Sequence, residues 1–294
     1  MMKKYIKFAA FVLTGVLLAA CGNKQQTEVT TSNNLFSTLL GKSEAEVQAR
    51  IDSVWTHFFT PGDISKYDAD GEKYWYSDPS YCLPAFLDLW AEKADAKNDF
   101  WREAADKARW LLEASQDSVT GLYPDYCLFD GKPYRRPNFD YNTDRYQYDA
   151  IRCPMNVGMD YYLTGKDASK REQSDARIDS AEREQARPTV KTRDAQRTMM
   201  RRLLTFFKNE GFKGGQFNLD GTEPTGNYTE GMAGANAVGA FALADSDSEE
   251  DRALAREYVQ RLWDVQPPTG KWRYYMGMVY FLSMLHVSGH FGLS

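Results

Sequence analysis

The chain has 294 residues, of which 43% are hydrophobic, 14% aromatic and 26% charged, an ordinary globular composition with enough apolar residues for a substantial core. A formal net charge of −5 excludes the basic footprint of a nucleic-acid binder. Three histidines and four cysteines leave little from which to build a histidine-based triad or a zinc site.

At the N-terminus, Met1-Met2-Lys3-Lys4 and Lys7 form a positive segment, followed by the apolar run Phe8–Ala20, too short to span a bilayer. Leu18-Ala19-Ala20-Cys21 then sets a cysteine at a small-residue cleavage pattern. The reading is a bacterial lipoprotein signal over 1–20, with Cys21 as the lipidated first residue and 21–33 as a polar tether. The expected location is the cell envelope, held to the membrane by lipid.

Residues 34–294 read as one domain. Ser43-Glu44-Ala45-Glu46 is a capping box, and Val47, Ile51, Val54, Trp55 and Phe58 repeat at helical spacing behind it. Further helices are predicted over Tyr81–Trp90, over Phe100–Ser115 with Trp101, Ala105, Ala108, Leu111 and Leu112 on one stripe, and over Asp149–Leu163, ending at Gly165. Thr198–Lys208, Met232–Ala244, Glu249–Trp263 and Trp272–Gly289 complete a set of about eight. Period-2 strand patterns of useful length are missing from the sequence, so the class is all-α. A charged insertion near 167–194, with Pro188 inside it, lacks an apolar face and reads as a solvated loop or frayed surface helix. Lys208–Tyr228, rich in Gly and Asn, reads as a long loop of the kind that binds ligands. Cys82, Cys127 and Cys153 are irregularly spaced and read as buried free thiols; His286 and His290 read as structural.

Most of the functional information lies between Gly121 and Asp160. Asp149 stands three residues before Arg152, a cation that can hold the carboxylate ionised and fix its rotamer. A general base aimed at a water needs that arrangement. On spacing alone, a helix-start Asp ion-paired to Arg152 is the preferred reading. Asp125, after Pro124, either caps a helix or touches substrate. Asp78-Pro79-Ser80-Tyr81 reads as a capped turn leading into a helix.

Four blocks, in order, carry a family resemblance: NLFSTLLGKSEAEVQARIDSVWTHFF (Asn34–Phe59); YSDPSYCLPAFLDLW running into FWREAADKARWLLEAS; the GLYPDY…YDAIRCPMNVGMDYYLTG stretch (Gly121–Gly165); and GANAVGAFALAD with TGKWRYYMGMVYFLSMLHVSGHF. The chain resembles the inverting glycoside hydrolases of family eight, above all their reducing-end exo-oligoxylanase branch. The resemblance implies an (α/α) toroid of the six-hairpin type acting on β-1,4-linked xylo- or gluco-oligosaccharides, with neither cofactor nor metal. It places Asp149 as general base, Arg152 as the residue that orients base and water, and Tyr148 as a contact to water or substrate. Tyr81, Asp78, Asp125 and Tyr126 become candidate substrate contacts, while Cys82 stands where relatives often carry His.

One part of the pattern is missing. The family's general acid is a Glu in a word like (Ser/Thr)-Glu-Gly-x-Ser-Tyr-Gly between the first and second blocks, which here are joined only by TPGDISKYDADGEKYW (Thr60–Trp75). Inverting hydrolysis needs two carboxyls roughly 6.5–9.5 Å apart. Thr229-Glu230-Gly231-Met232 looks like the acid word, but it follows Asp149 and runs into the C-terminal helix block. Glu230 is therefore read first as a helix-start Glu and second as a relocated acid; Asp68, Asp70 and Glu72 are weaker substitutes. About eight helices cannot close a six-hairpin ring, so an incomplete toroid is expected, its open edge either free or covered by a partner chain. The competing functional reading is an inactive oligosaccharide-binding lipoprotein derived from the family.

Overall fold

Asn34 opens the fold as a cap: its Oδ1 accepts from the Ser37 N–H at 3.0 Å, and helix α1 (Leu35–Leu40) closes on Gly41 at φ +66°. The capping box then starts α2 (Glu44–Phe58), with Glu46 Oε2 accepting from the Ser43 N–H at 2.8 Å and Ser43 Oγ from the Glu46 N–H at 3.3 Å. The computed structural model describes residues 34–58, 76–164 and 193–292, which share one compact unit. The signal and tether expected over 1–33, with Cys21, the Thr60–Trp75 junction and nearly all of the charged insertion lie outside the described residues.

The remaining helices are α3 (Pro84–Lys93), α4 (Asn98–Ala114), α5 (Cys153–Thr164), α6 (Arg193–Asn209), α7 (Glu230–Gly239), α8 (Phe241–Ala244), α9 (Glu249–Asp264) and α10 (Arg273–Val287). Among the described residues the only β-pairing is a handful of isolated bridges, so the all-α expectation holds. The set exceeds the expected eight in two places. α1 is too short to carry a periodic pattern, and the stretch expected as one helix over 232–244 breaks at Ala240 into α7 and α8. α6 also extends beyond its apolar pattern, back to Arg193, and buries Gln196 there.

α3 and α4 form an antiparallel hairpin that rests on α5. α4 turns Ala105, Ala108, Leu111 and Leu112 inward, the stripe its spacing predicts. α7 is central: it packs against α5, α9 and α10, and each of its residues from Gly231 to Gly239 is buried. Small side chains allow this closeness. A Cβ at Gly158 of α5 would fall 2.0 Å from the Val238 carbonyl oxygen of α7. These helices make up part of an α/α toroid, and the loops at one end of it carry the candidate site.

Candidate active site

Asp149 sits on a 3-10 turn, Tyr148–Arg152, that runs directly into α5. This tight turn replaces the first helical turn expected at 149, and its three-residue repeat brings positions 149 and 152 together. Arg152 Nη2 lies 2.9 Å from Asp149 Oδ2. The other oxygen, Oδ1, accepts from the Tyr275 hydroxyl at 2.7 Å. Held at both oxygens, the carboxylate has a fixed rotamer, yet its side chain keeps 33% exposure and can reach a water.

Arg152 is anchored in turn by the Asp78-Pro79-Ser80-Tyr81 word. It donates to Ser80 Oγ at 2.6 Å, lies 3.8 Å from Asp78 Oδ2, and stacks its guanidinium 4.8 Å from the Tyr81 ring centre. Asp78 caps the 3-10 turn Pro79–Tyr81 by accepting from the Ser80 N–H at 2.8 Å. Asn156 of α5 fastens the same turn by donating to the Ser80 carbonyl at 2.7 Å. Tyr81 itself is 67% exposed, presenting a ring face beside the ion pair.

Asp125 is buried beneath the turn. Its Oδ1 accepts from the Asp149 N–H at 3.1 Å, and its Oδ2 from the Tyr141 hydroxyl at 2.9 Å. It therefore caps a turn, across 24 residues of sequence rather than locally. Burial pushes its carboxyl up to about 7, the Tyr141 hydrogen bond opposing and the charges of Asp78 and Asp149 adding. Burial likewise raises Asp78 to about 6, against its hydrogen bonds from Ser80 and the charge of Arg152.

An aromatic band leads away from Asp149. Tyr148 packs 4.4 Å from Tyr141, Tyr141 is 4.8 Å from Phe139, and Phe139 lies 6.0 Å from Tyr126. Tyr126 stacks on Tyr76 at 4.6 Å, and Tyr76 on Tyr134 at 5.1 Å. Rings of this kind give flat faces on which sugar rings stack.

The structure thus gathers Asp149, Arg152, Tyr148, Tyr81, Asp78 and Asp125, with Tyr126 in the adjoining band. Glu230 occupies the first turn of α7 behind its cap Thr229, where Tyr280 feels its charge; Thr229 itself donates to Met276 Sδ at 3.4 Å, next in sequence to Tyr275. Tyr275 was not among the sequence candidates. It lies within RYYMG, inside a matched block, but its partner is 126 residues away and spacing carries no trace of that contact. The free thiols Cys82, Cys127 and Cys153 are buried, as expected.

Residues 30–176 match the model of glycosyl hydrolases family 8. A reducing end xylose-releasing exo-oligoxylanase of Bifidobacterium adolescentis is 31% identical over 219 residues, covering 74% of this chain and 50% of that protein. Among solved structures, a family 8 xylobiose complex from Teredinibacter turnerae aligns with a TM-score of 0.57 at 32% identity, covering 73% of this chain and 47% of that one. A cold-adapted family 8 xylanase aligns with a TM-score of 0.58 at 26% identity, covering 74% and 50%. The chain spans about half the length of the curated relatives it matches.

Proposed function

The chain belongs to the glycosyl hydrolases of family 8, and from that premise we propose that Asp149 is the general base of an inverting site for β-1,4-linked xylo-oligosaccharides. The observation that carries the reading is the doubly held Asp149 carboxylate, fixed by Arg152 and Tyr275 at the edge of the aromatic band. Such a carboxylate takes a proton from a water as that water attacks the anomeric carbon. Tyr81 and Tyr148 offer exposed rings in the same cluster for a sugar to rest on. Gluco-oligosaccharides are the second substrate class.

The word that carries the family's general acid is missing between the first and second sequence blocks, so on this reading glycosides with poor leaving groups should be hydrolysed slowly, and a substrate that needs no protonation is the direct test. β-Xylobiosyl fluoride should be turned over well above xylotriose, and Asp149→Asn should abolish that turnover while Glu230→Gln leaves it unchanged. Brisk cleavage of xylotriose that Glu230→Gln stops would replace this reading with a relocated acid. The missing acid favours a second reading, oligosaccharide binding without turnover. Calorimetric binding of xylotriose with neither substrate cleaved would establish it. We further propose that Cys21 carries lipid and holds the protein in the cell envelope, which radiolabelled palmitate incorporation in wild type and its loss in Cys21→Ala would test.

A further inference from the structure

The turn that carries Asp149 has an unusual start. Tyr148 adopts φ +41°, a left-handed conformation that a large L-residue rarely holds without help. Such strain persists only where surrounding contacts over-determine it. The residue before it, Gln147, is extended and gives the turn no side-chain cap, its amide donating instead to the Asn142 carbonyl. The free N–H of Asp149 is claimed by Asp125 alone among the described hydrogen bonds.

Asp125 is well placed to hold it. The residue is 1% exposed, and its own N–H donates to the Arg145 carbonyl at 2.9 Å, tying it to the strand of chain that leads into the turn. Tyr141 fixes its second oxygen and also packs its ring, tilted by 58°, 4.4 Å from that of Tyr148. One carboxylate therefore braces the strained residue in two ways, through the main chain of Asp149 and through the Tyr141 ring that packs against Tyr148.

We propose that Asp125 is a positioning residue for the base: it holds the Tyr148–Arg152 turn by the Asp149 N–H, and its charge sets how firmly that turn is held. The inference rests on reading Asp149 as the base. As an anion Asp125 accepts from both donors. Protonated, one oxygen becomes a hydroxyl, and either the Asp149 N–H or the Tyr141 hydroxyl loses a strong acceptor. The charged and titratable groups facing it are Tyr141, Asp78 and Asp149, with Tyr126 touching Tyr141 and Arg152 set against the other two carboxylates. Burial places the exchange between the two states near neutral pH.

The test follows the Asp149 backbone amide by proton–nitrogen correlation NMR in the full chain between pH 5 and 9. In wild type the resonance should move through a step near pH 7, and Asp125→Asn should remove the step. Tyr141→Phe, which deletes a hydrogen bond that lowers the Asp125 carboxyl, should carry the step to higher pH. A step that survives Asp125→Asn overturns the proposal; if that variant does not fold, a step unmoved in Tyr141→Phe overturns it instead. In parallel, Asp125→Ala should lower kcat on β-xylobiosyl fluoride by ~10²-fold with a smaller change in KM, the cost of a misplaced base. Turnover with the wild-type kcat and pH profile in Asp125→Asn also sinks the positioning role. Should the amide behave as expected while wild type turns over neither the fluoride nor xylotriose, the positioning stands and the hydrolase reading fails.

Discussion

Two clusters in this molecule gather carboxylates around one arginine, and they differ in every other respect. At the first, Arg109 forks onto Asp160, with Nε at 2.8 Å and Nη2 at 2.7 Å, and also meets Asp88. Gln196 donates to Asp160 at 2.6 Å and Thr164 at 3.2 Å. The side chains are 11%, 1% and 7% exposed for Arg109, Asp160 and Asp88, so this cluster is sealed and joins α3, α4, α5 and α6. At the second, Arg152 faces Asp149 and Asp78 with one side open, and two of the cluster's three carboxyls, Asp78 and Asp125, are pushed up by burial. Closed geometry with the carboxylates tied to one buried cation is how a fold uses a buried ion cluster. Open geometry with perturbed acids is how a site uses one. The sequence resemblance pointed to the open cluster, and the contrast gives that expectation a physical argument independent of sequence matching.

Variants can break the contrast, beginning with the largest effect. Asp149→Asn should lower turnover of β-xylobiosyl fluoride by at least about 10²–10⁴-fold, while its urea midpoint stays close to wild type. A large loss of stability in that variant would make the open cluster structural. Arg109→Leu should do the reverse, costing about 3–5 kcal/mol in urea unfolding because it leaves Asp88 and Asp160 buried without their cation. Little change there would mean that the sealed cluster is not holding the helices together.

The acids of the open cluster sharpen the comparison through pH. A folded-state value raised to about 7 means that native Asp125 binds more protons than the unfolded chain between roughly pH 4 and 7. Its contribution to stability is then fully present below pH 4 and is lost as pH rises through 7. Buried His286, lowered to about 3, has the opposite sign, losing stability as pH falls below its ordinary value near 6.5. The difference between wild type and Asp125→Asn cancels the histidine. Wild type should lose on the order of 2–4 kcal/mol relative to the variant between pH 4 and pH 8, read from urea curves at each pH. A difference independent of pH would remove the raised acid. Smallest of all, Tyr275→Phe deletes one hydrogen bond to Asp149 and should cost about 0.5–1.5 kcal/mol in transition-state stabilisation, up to about tenfold in kcat.

How legible these clusters were in the sequence depended on how far apart their members lie. The Ser43–Glu46 capping box, the α4 stripe and the 149–152 pair are local, and residue spacing alone exposes them. The family words added Tyr81 and Asp78, whose contacts to Arg152 span some seventy residues and follow no periodicity. The Asp125 cap was foreseen as a cap, but not which turn it caps, because its acceptor geometry exists only after the 121–127 and 141–149 segments meet. Tyr275 and the whole Arg109 cluster were invisible, since a charged residue on a helix face gives no sign of whether water or another helix will cover it. The break at Ala240 was missed for a similar reason: an alanine-rich run reads as one helix until packing bends it.

Gly158 has no polar group to offer, yet it acts on the site as a fulcrum. It lies in the second turn of α5, about 7.5 Å along the axis from Cys153, and the turn bearing Asp149 continues that helix without a joint. Any side chain at 158 must push α5 away from the Val238 carbonyl, and a rigid helix passes that push along its length to the carboxylate at its end. The aim of the Asp149 carboxylate is thus set partly at a point where two backbones touch. With Asp149 as the proposed base, variation at 158 or 238 should retune turnover without altering a residue of the cluster.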